Sequence, residues 1–232
     1  MDSVPSRGQK VQAIFSAIAR RYDLANHLLS AGLDFSWRRV AGEIVRNWKV
    51  GRVLDVATGS GDLAQTIRAR CPRALVVGVD FCQPMLATAA KKGIPLLVAA
   101  DALCLPFENG AFDAVTVAFG LRNMESWPGA LSEMGRVLRP GGHLLVLDFS
   151  APPPPIRWIY RPYLHYALPK LAGLLTGEKS AYQYLGDSIE NFPQGPQMCD
   201  LIEKAGFCAA RCRRLSAGIV SLYTAERSSP MK

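Results

Sequence analysis

The chain has 232 residues, 49% hydrophobic and 20% charged, enough for a core that needs no disulfide support. It carries 27 Lys and Arg against 19 Asp and Glu, a formal net charge of +8. Six cysteines without CxxC spacing or a neighbouring histidine do not suggest a zinc site, and no uninterrupted run of about eighteen apolar residues exists to span a bilayer.

The charge is unevenly placed. Residues 1–50 hold 8 basic and 4 acidic groups, 51–150 hold 9 and 9, and 151–232 hold 10 and 6. A basic flank suits nucleic acid or an anionic membrane face, and equally a plain basic protein. Met1 to Pro5 show no apolar signal core, so the thiols are expected reduced, mostly buried and cytoplasmic.

Residues 8–21 place Val11, Ile14, Phe15 and Ile18 at helical spacing. A second helix is expected over 33–47, with Trp37 and Ile44 and with Arg38 and Arg39 beside them. This prelude, residues 1–50, pads the core or forms a lid. Tyr22, Asp23 and Asn26 can face a substrate or serve as caps and turn formers.

Residues 51–232 then begin a strict alternation. Strand 52–57 runs into Thr58-Gly59-Ser60-Gly61 and a helix over 62–70. Gly59 and Gly61 give the turn its backbone freedom and let a ligand lie against the main chain. The N–H groups opening the helix point at that ligand. Strand 74–80 ends at Asp80, whose carboxylate can accept both hydroxyls of a ribose. The glycine pattern alone also fits a dinucleotide site.

A helix over 84–91 and a strand over 95–99 follow, then Asp101-Ala102. An acid just past a strand end lies at the crevice of an open α/β sheet and can accept the exocyclic amine of adenine, or simply cap a turn. Strand 112–119 leads into Gly120-Leu121-Arg122-Asn123, a loop standing over the same crevice. A helix over 127–138 stops at Pro140-Gly141-Gly142, and strand 143–149 follows. Five such alternations mean a parallel sheet with helices on both faces.

The pattern breaks at 151–155, opening an insertion that reaches about residue 192. Its first part, 156–179, is aromatic and cationic together, with Arg157, Trp158, Tyr160, Arg161, Tyr163, His165 and Tyr166. Such a segment can lie in a membrane interface, wall an apolar pocket or pack as a lid. A helix over 194–205 and two strands, 207–215 and 218–225, complete the chain.

The glycine loop Asp55-x-Ala57-Thr58-Gly59-x-Gly61-Asp62 resembles that of class I S-adenosylmethionine-dependent methyltransferases in general. More specific stretches are Phe119-Gly120-Leu121-Arg122-Asn123, Leu147-Asp148-Phe149-Ser150 and Tyr182-x-Tyr184-Leu185-x-x-Ser188-Ile189. With Phe15-Ser16-x-Ile18-Ala19-x-x-Tyr22-Asp23-x-x-Asn26 they make the chain resemble the ubiquinone/menaquinone biosynthesis C-methyltransferases, over about residues 8–226. The resemblance implies the class I methyltransferase fold, a Rossmann-like three-layer α/β sandwich. Its seven-stranded, mostly parallel sheet ends in an antiparallel hairpin. The implied cofactor is S-adenosyl-L-methionine, contacted by Thr58, Asp80, Asp101 and Ala102, with the turn glycines Gly59 and Gly61 expected to let it lie against the main chain. The implied substrate is a polyprenyl quinol, demethylmenaquinol before a benzoquinol, with Tyr22, Asn26 and Asn123 on its side. Ala118 stands where some members carry serine, so any side-chain hydroxyl contact there is absent.

Methylating a ring carbon needs a deprotonated quinol, and a cation beside its oxygen would stabilise the phenolate. Arg122 is the residue expected there, directly or through a water, and His165 or a water is the expected base. Transient contact with an anionic membrane surface at the inner face of the cytoplasmic membrane is expected, and a homodimer is left open. Nucleic acid is not expected as a partner. The Asn/Asp-Pro-Pro-aromatic motif of amino-group methylation is replaced by Gly120–Asn123, and no Pro-Cys dipeptide occurs for cytosine C5 chemistry.

Overall fold

The computed structural model describes residue 30, residues 32–167 and residues 179–229. The expected helix over 8–21 and the substrate candidates Tyr22 and Asn26 lie outside these residues. Seven strands form one sheet in the order β3-β2-β1-β4-β5-β7-β6. They are β1 (Arg52–Val56), β2 (Leu75–Asp80), β3 (Leu97–Ala99), β4 (Phe112–Ala118), β5 (Leu138–Phe149), β6 (Phe207–Leu215) and β7 (Val220–Arg227). Strands β1 to β5 pair in parallel, while β7 runs antiparallel to both β5 and β6.

Helices cover both faces. On one lie α1 (Leu33–Asn47), α2 (Asp62–Arg70) and α3 (Gln83–Lys91). Trp37, Ala41, Val45, Leu63, Ile67 and Ala89 pack there on Val53, Val76, Leu145 and Leu222. On the other lie α4 (Trp127–Val137) and α7 (Pro196–Lys204), where Leu131, Met134, Met198 and Ile202 meet Leu54, Val77, Val115 and Val146. Alternate residues of each inner strand thus serve opposite cores. That is why β1, β2 and β4 read as largely apolar runs rather than strictly alternating ones, with Asp55 and Thr116 among the polar exceptions.

Two elements depart from expectation. Strand β5 begins at Leu138, not at His143, because Leu138 already pairs with Phe112. The Pro-Gly-Gly stretch is a bulge inside the strand: pairing jumps from Phe112↔Leu138 to Ala114↔His143. In the insertion, α5 (Ile156–Pro162) yields to a π-helical turn, Tyr163–Ala167. Pro162 has no N–H to continue the α pattern. Residues 168–178 lie outside the described set, and α6 (Lys179–Asn191) follows. Of the six cysteines, all free, only Cys82 is fully buried; Cys104, Cys208 and Cys212 are exposed, on turns and on an edge strand that covers less than the sequence suggested.

Candidate active site

The chain reverses its direction of travel across the sheet between β1 and β4, which is where open α/β sheets form their ligand crevice. Two loops meet there. After β1, Ala57, Gly59 and Gly61 all adopt positive φ, at 50°, 56° and 85°. After β4, Phe119 does the same at 58°. Ala57 and Phe119 are not glycine, so each conformation is strained, a feature concentrated at functional sites. The loops touch closely: a Cβ at Gly120 would lie 2.5 Å from Cβ of Ala57. Gly61 turns away from the crevice towards Ala89 and Ile94 and shapes the turn into α2.

Acids fix the first loop. Asp55, 1% exposed, accepts from the hydroxyls of Thr58 and Thr116, each at 2.7 Å. Burial pushes its carboxyl up to about 6. Asp80 accepts from the backbone N–H of Gly59 and of Cys82, each at 2.8 Å. Burial raises its carboxyl too, and those backbone donors pull it back. Asp101 caps its turn, accepting from Leu103 N–H at 2.9 Å, and it also lines a cavity.

That cavity, about 540 Å³ with its open mouth, is walled by Asp101, Ala102, Leu103, Met124 and Val79. A larger one, about 690 Å³, is walled by Thr58, Gly59, Ser60, Asp62, Arg38 and Phe119. Ala57, Asp80, Phe81, Gly120 and Asn123 line both. Two cavities with a common wall accept one elongated ligand, with Asp80 at its waist where a ribose belongs. The buried Oδ1 of Asn123 has no hydrogen-bond partner among the described residues, an acceptor left for a ligand. These features fit an adenosyl cofactor.

The structure thus gathers Thr58, Gly59, Asp80, Asp101, Ala102 and Asn123 around one groove. Arg122 sits behind it. It is 4% exposed, and its Nη1 donates to Asp148 Oδ1 at 2.7 Å and to the Phe119 carbonyl at 2.5 Å. Its guanidinium lies 5.2 Å from the centre of the Phe149 ring. It lines neither of these two cavities. Tyr160 of α5 is near enough to feel its charge, and burial pushes that phenol well above its ordinary value. His165 also lies off the groove; its Nε2 is 3.2 Å from Glu190, which also accepts from Arg161 at 2.7 Å. Sequence reasoning missed Arg38 as a cavity residue. Its signal was present: Arg38, Ala41 and Val45 follow i, i+3, i+7 spacing, so the cation lies on the core-facing stripe of α1.

A sheet ordered this way, with an acid closing β2 and an adenosyl-shaped groove at the switch point, defines a class I S-adenosylmethionine-dependent methyltransferase. Solved structures agree on the fold. A methyltransferase from Thermotoga maritima superposes with a TM-score of 0.68 at 19% identity, over 93% of this chain and 99% of its own. Phosphoethanolamine N-methyltransferase 2 of Haemonchus contortus, in complex with S-adenosyl-L-methionine, gives 0.56 at 15% identity over 77% and 49%. The model of the ubiE/COQ5 methyltransferase family matches residues 4–227, and the chain belongs to that family. Among curated relatives, the demethylmenaquinone methyltransferase of Thermus thermophilus is 46% identical over 92% of this chain and 100% of its own length. The ubiquinone/menaquinone biosynthesis C-methyltransferase UbiE of Syntrophotalea carbinolica is 44% identical over 96% of each.

Proposed function

We propose that this chain methylates a ring carbon of a polyprenylated quinol, with demethylmenaquinol as its acceptor. The observation that carries this reading is end-to-end similarity to relatives named for that reaction, the first at 46% identity across its whole length. Bound in the two-part groove, S-adenosylmethionine supplies an electrophilic methyl group. The chain's part is to hold a quinol carbon in line with that methyl and to keep water out.

Arg122 serves as a positioning residue. Its bonds to Asp148 and to the Phe119 carbonyl hold the loop that carries Asn123. Its charge, close to Tyr160, also favours negative charge on a ring oxygen bound between that loop and α5. His165, oriented by Glu190, or a water accepts the quinol proton. Tyr22 and Asn26 stay assigned to the acceptor on sequence grounds.

The acceptor's tail belongs in a bilayer. Trp158, Ile159 and Tyr166 of the insertion are 73%, 79% and 70% exposed, with Arg157 and Arg161 among them. Aromatic and cationic groups mixed in this way suit the interface of an anionic membrane, from which the quinol would be drawn. Among the described residues no helix is long and apolar enough to cross it. The test is an acceptor panel in mixed micelles: demethylmenaquinol, the benzoquinol precursor of ubiquinone, and bulk RNA. Methyl incorporation into the naphthoquinol above the benzoquinol supports the reading. Incorporation only into RNA, or into nothing, overturns it.

A further inference from the structure

We propose that Arg157 and Arg214 together bind the phosphate of an anionic lipid headgroup, at the root of the insertion. The proposal deepens the membrane reading above and rests on it. Arg157 lies on α5, and Arg214 lies on β6, outside the insertion. The fold brings both to one place. Arg157 Nε donates to the Pro152 carbonyl at 3.0 Å, and its backbone N–H donates to the Pro153 carbonyl at 3.2 Å. Arg214 approaches the same two prolines across Gly218, which has no side chain to separate them. A Cβ there would lie 3.3 Å from Cα of Pro152, 3.1 Å from Cδ of Pro153 and 3.6 Å from Cδ of Arg214. Nη2 of Arg214 then passes Gly195, 3.9 Å from where a Cβ would stand. Gln194 ties that point to the root by accepting from Ala151 N–H at 2.8 Å.

Both arginines are exposed, and neither has an ion-pair partner among the described residues. Other exposed arginines do: Arg161 pairs with Glu190 at 2.7 Å and Arg139 with Asp113 at 2.6 Å. Asp200 and Glu203 line the groove that Arg214 enters, but neither reaches it as an ion pair, and Glu203 accepts from the Ala210 N–H at 3.3 Å. Two unpaired guanidinium forks beside one gap match the oxygens of a phosphate. The source of that phosphate follows from what stands next to it. No residue of α5 is fully buried, and Trp158 and Ile159 follow Arg157 directly, at 73% and 79% exposed. Cations at headgroup level with apolar side chains reaching past them suit a lipid surface. RNA offers the phosphate without the hydrocarbon.

The test is partition of the full chain onto two kinds of vesicle, phosphatidylcholine alone and phosphatidylcholine with an equimolar share of phosphatidylglycerol. The natural chain should favour the mixed vesicles. Arg157→Gln with Arg214→Gln should lower partition onto them by about 25-fold, about fivefold for each cation held against an anionic surface. Each single variant should lose about fivefold, which keeps the test open if the pair does not fold. Arg52→Gln with Arg73→Gln removes the same charge where β1 and β2 begin, at the opposite edge of the sheet. That edge is a strand's length away, farther than screened charges act, so this control should stay within about twofold. Equal losses in the two pairs overturn the proposal, because net charge would then account for binding. Equal partition of the natural chain onto both vesicles overturns it as well. So does a loss of bulk RNA binding in the first pair with vesicle partition unchanged, which would assign the arginines to nucleic acid. A natural chain that partitions onto neither vesicle would instead remove the membrane reading itself.

Discussion

Arg122 and Asp148 are joined twice across the end of the sheet. The guanidinium donates to Asp148 Oδ1 at 2.7 Å, and the backbone N–H of Arg122 donates to Oδ2 at 3.2 Å. Asp148 is 1% exposed at the end of β5, so it ties the loop after β4 to its neighbouring strand.

That tie changes what removing the arginine should do. A cation acting only at the reacting oxygen, as expected of Arg122, would on Arg122→Ala cost turnover and spare cofactor binding. The ion pair couples the two. Alanine leaves Asp148 buried without its cation, a loss of about 3–5 kcal/mol in stability. It also frees Phe119 and Asn123, which line the larger cavity. Denaturant unfolding and S-adenosylhomocysteine titration should therefore both register the change. Turnover lost with stability and affinity intact would place the guanidinium at the reacting oxygen instead.

Asp55 predicts a pH effect with a defined sign. Burial holds its folded carboxyl at about 6 against an ordinary value of 3.8, so between those values the folded chain holds the extra proton. Stability from this group is therefore greatest in acid and falls as pH rises through about 6. Asp55→Asn cannot titrate. The natural chain should gain on that variant by about 2 kcal/mol on going from pH 7 to pH 4. Urea unfolding at both values checks it, and a constant difference would contradict it.

Gly120 predicts a steric effect that a second change reverses. Gly120→Ala places a methyl 2.5 Å from Cβ of Ala57 and must push the two cofactor loops apart. Cofactor affinity should drop by about tenfold or more, since an overpacked contact costs about 1–3 kcal/mol. Ala57 sits at a φ of 50°, which glycine adopts freely. Adding Ala57→Gly should restore affinity. No recovery in the double variant would show that the loops are not held by this contact.

Much of this was legible because the physics was local. Strands buried on both faces read as largely apolar runs, and the Gly59–Gly61 turn needs positive φ at both glycines. Asp80 and Asp101 follow from lying just past strand ends. What escaped depends on residues far apart in the chain. Arg122 reads as a site cation until Asp148, 26 positions on, is seen to hold it. Arg38 reads as one of two adjacent surface arginines, although only Arg39 is exposed. Pro140-Gly141-Gly142 reads as a stop, yet Leu138 has already joined the sheet.

The exposed aromatic face of the insertion predicts a membrane phenotype separable from chemistry. Trp158→Ala with Ile159→Ala should reduce flotation with anionic vesicles and slow turnover of long-tailed quinol in those vesicles. Turnover of a short-tailed, water-soluble analogue should be unchanged. Loss of both activities would assign these side chains to the folded core or the acceptor pocket.

The central claim is that one adenosyl cofactor spans the two cavities and delivers its methyl to a quinol ring carbon. The most direct measurement uses methyl-deuterated S-adenosylmethionine with demethylmenaquinol and locates the label by mass spectrometry and NMR. The account predicts an intact deuterated methyl on the ring carbon beside a hydroxyl, with S-adenosylhomocysteine formed in equal amount. Label on a quinol oxygen, or turnover of cofactor with no label in the quinol, would contradict it.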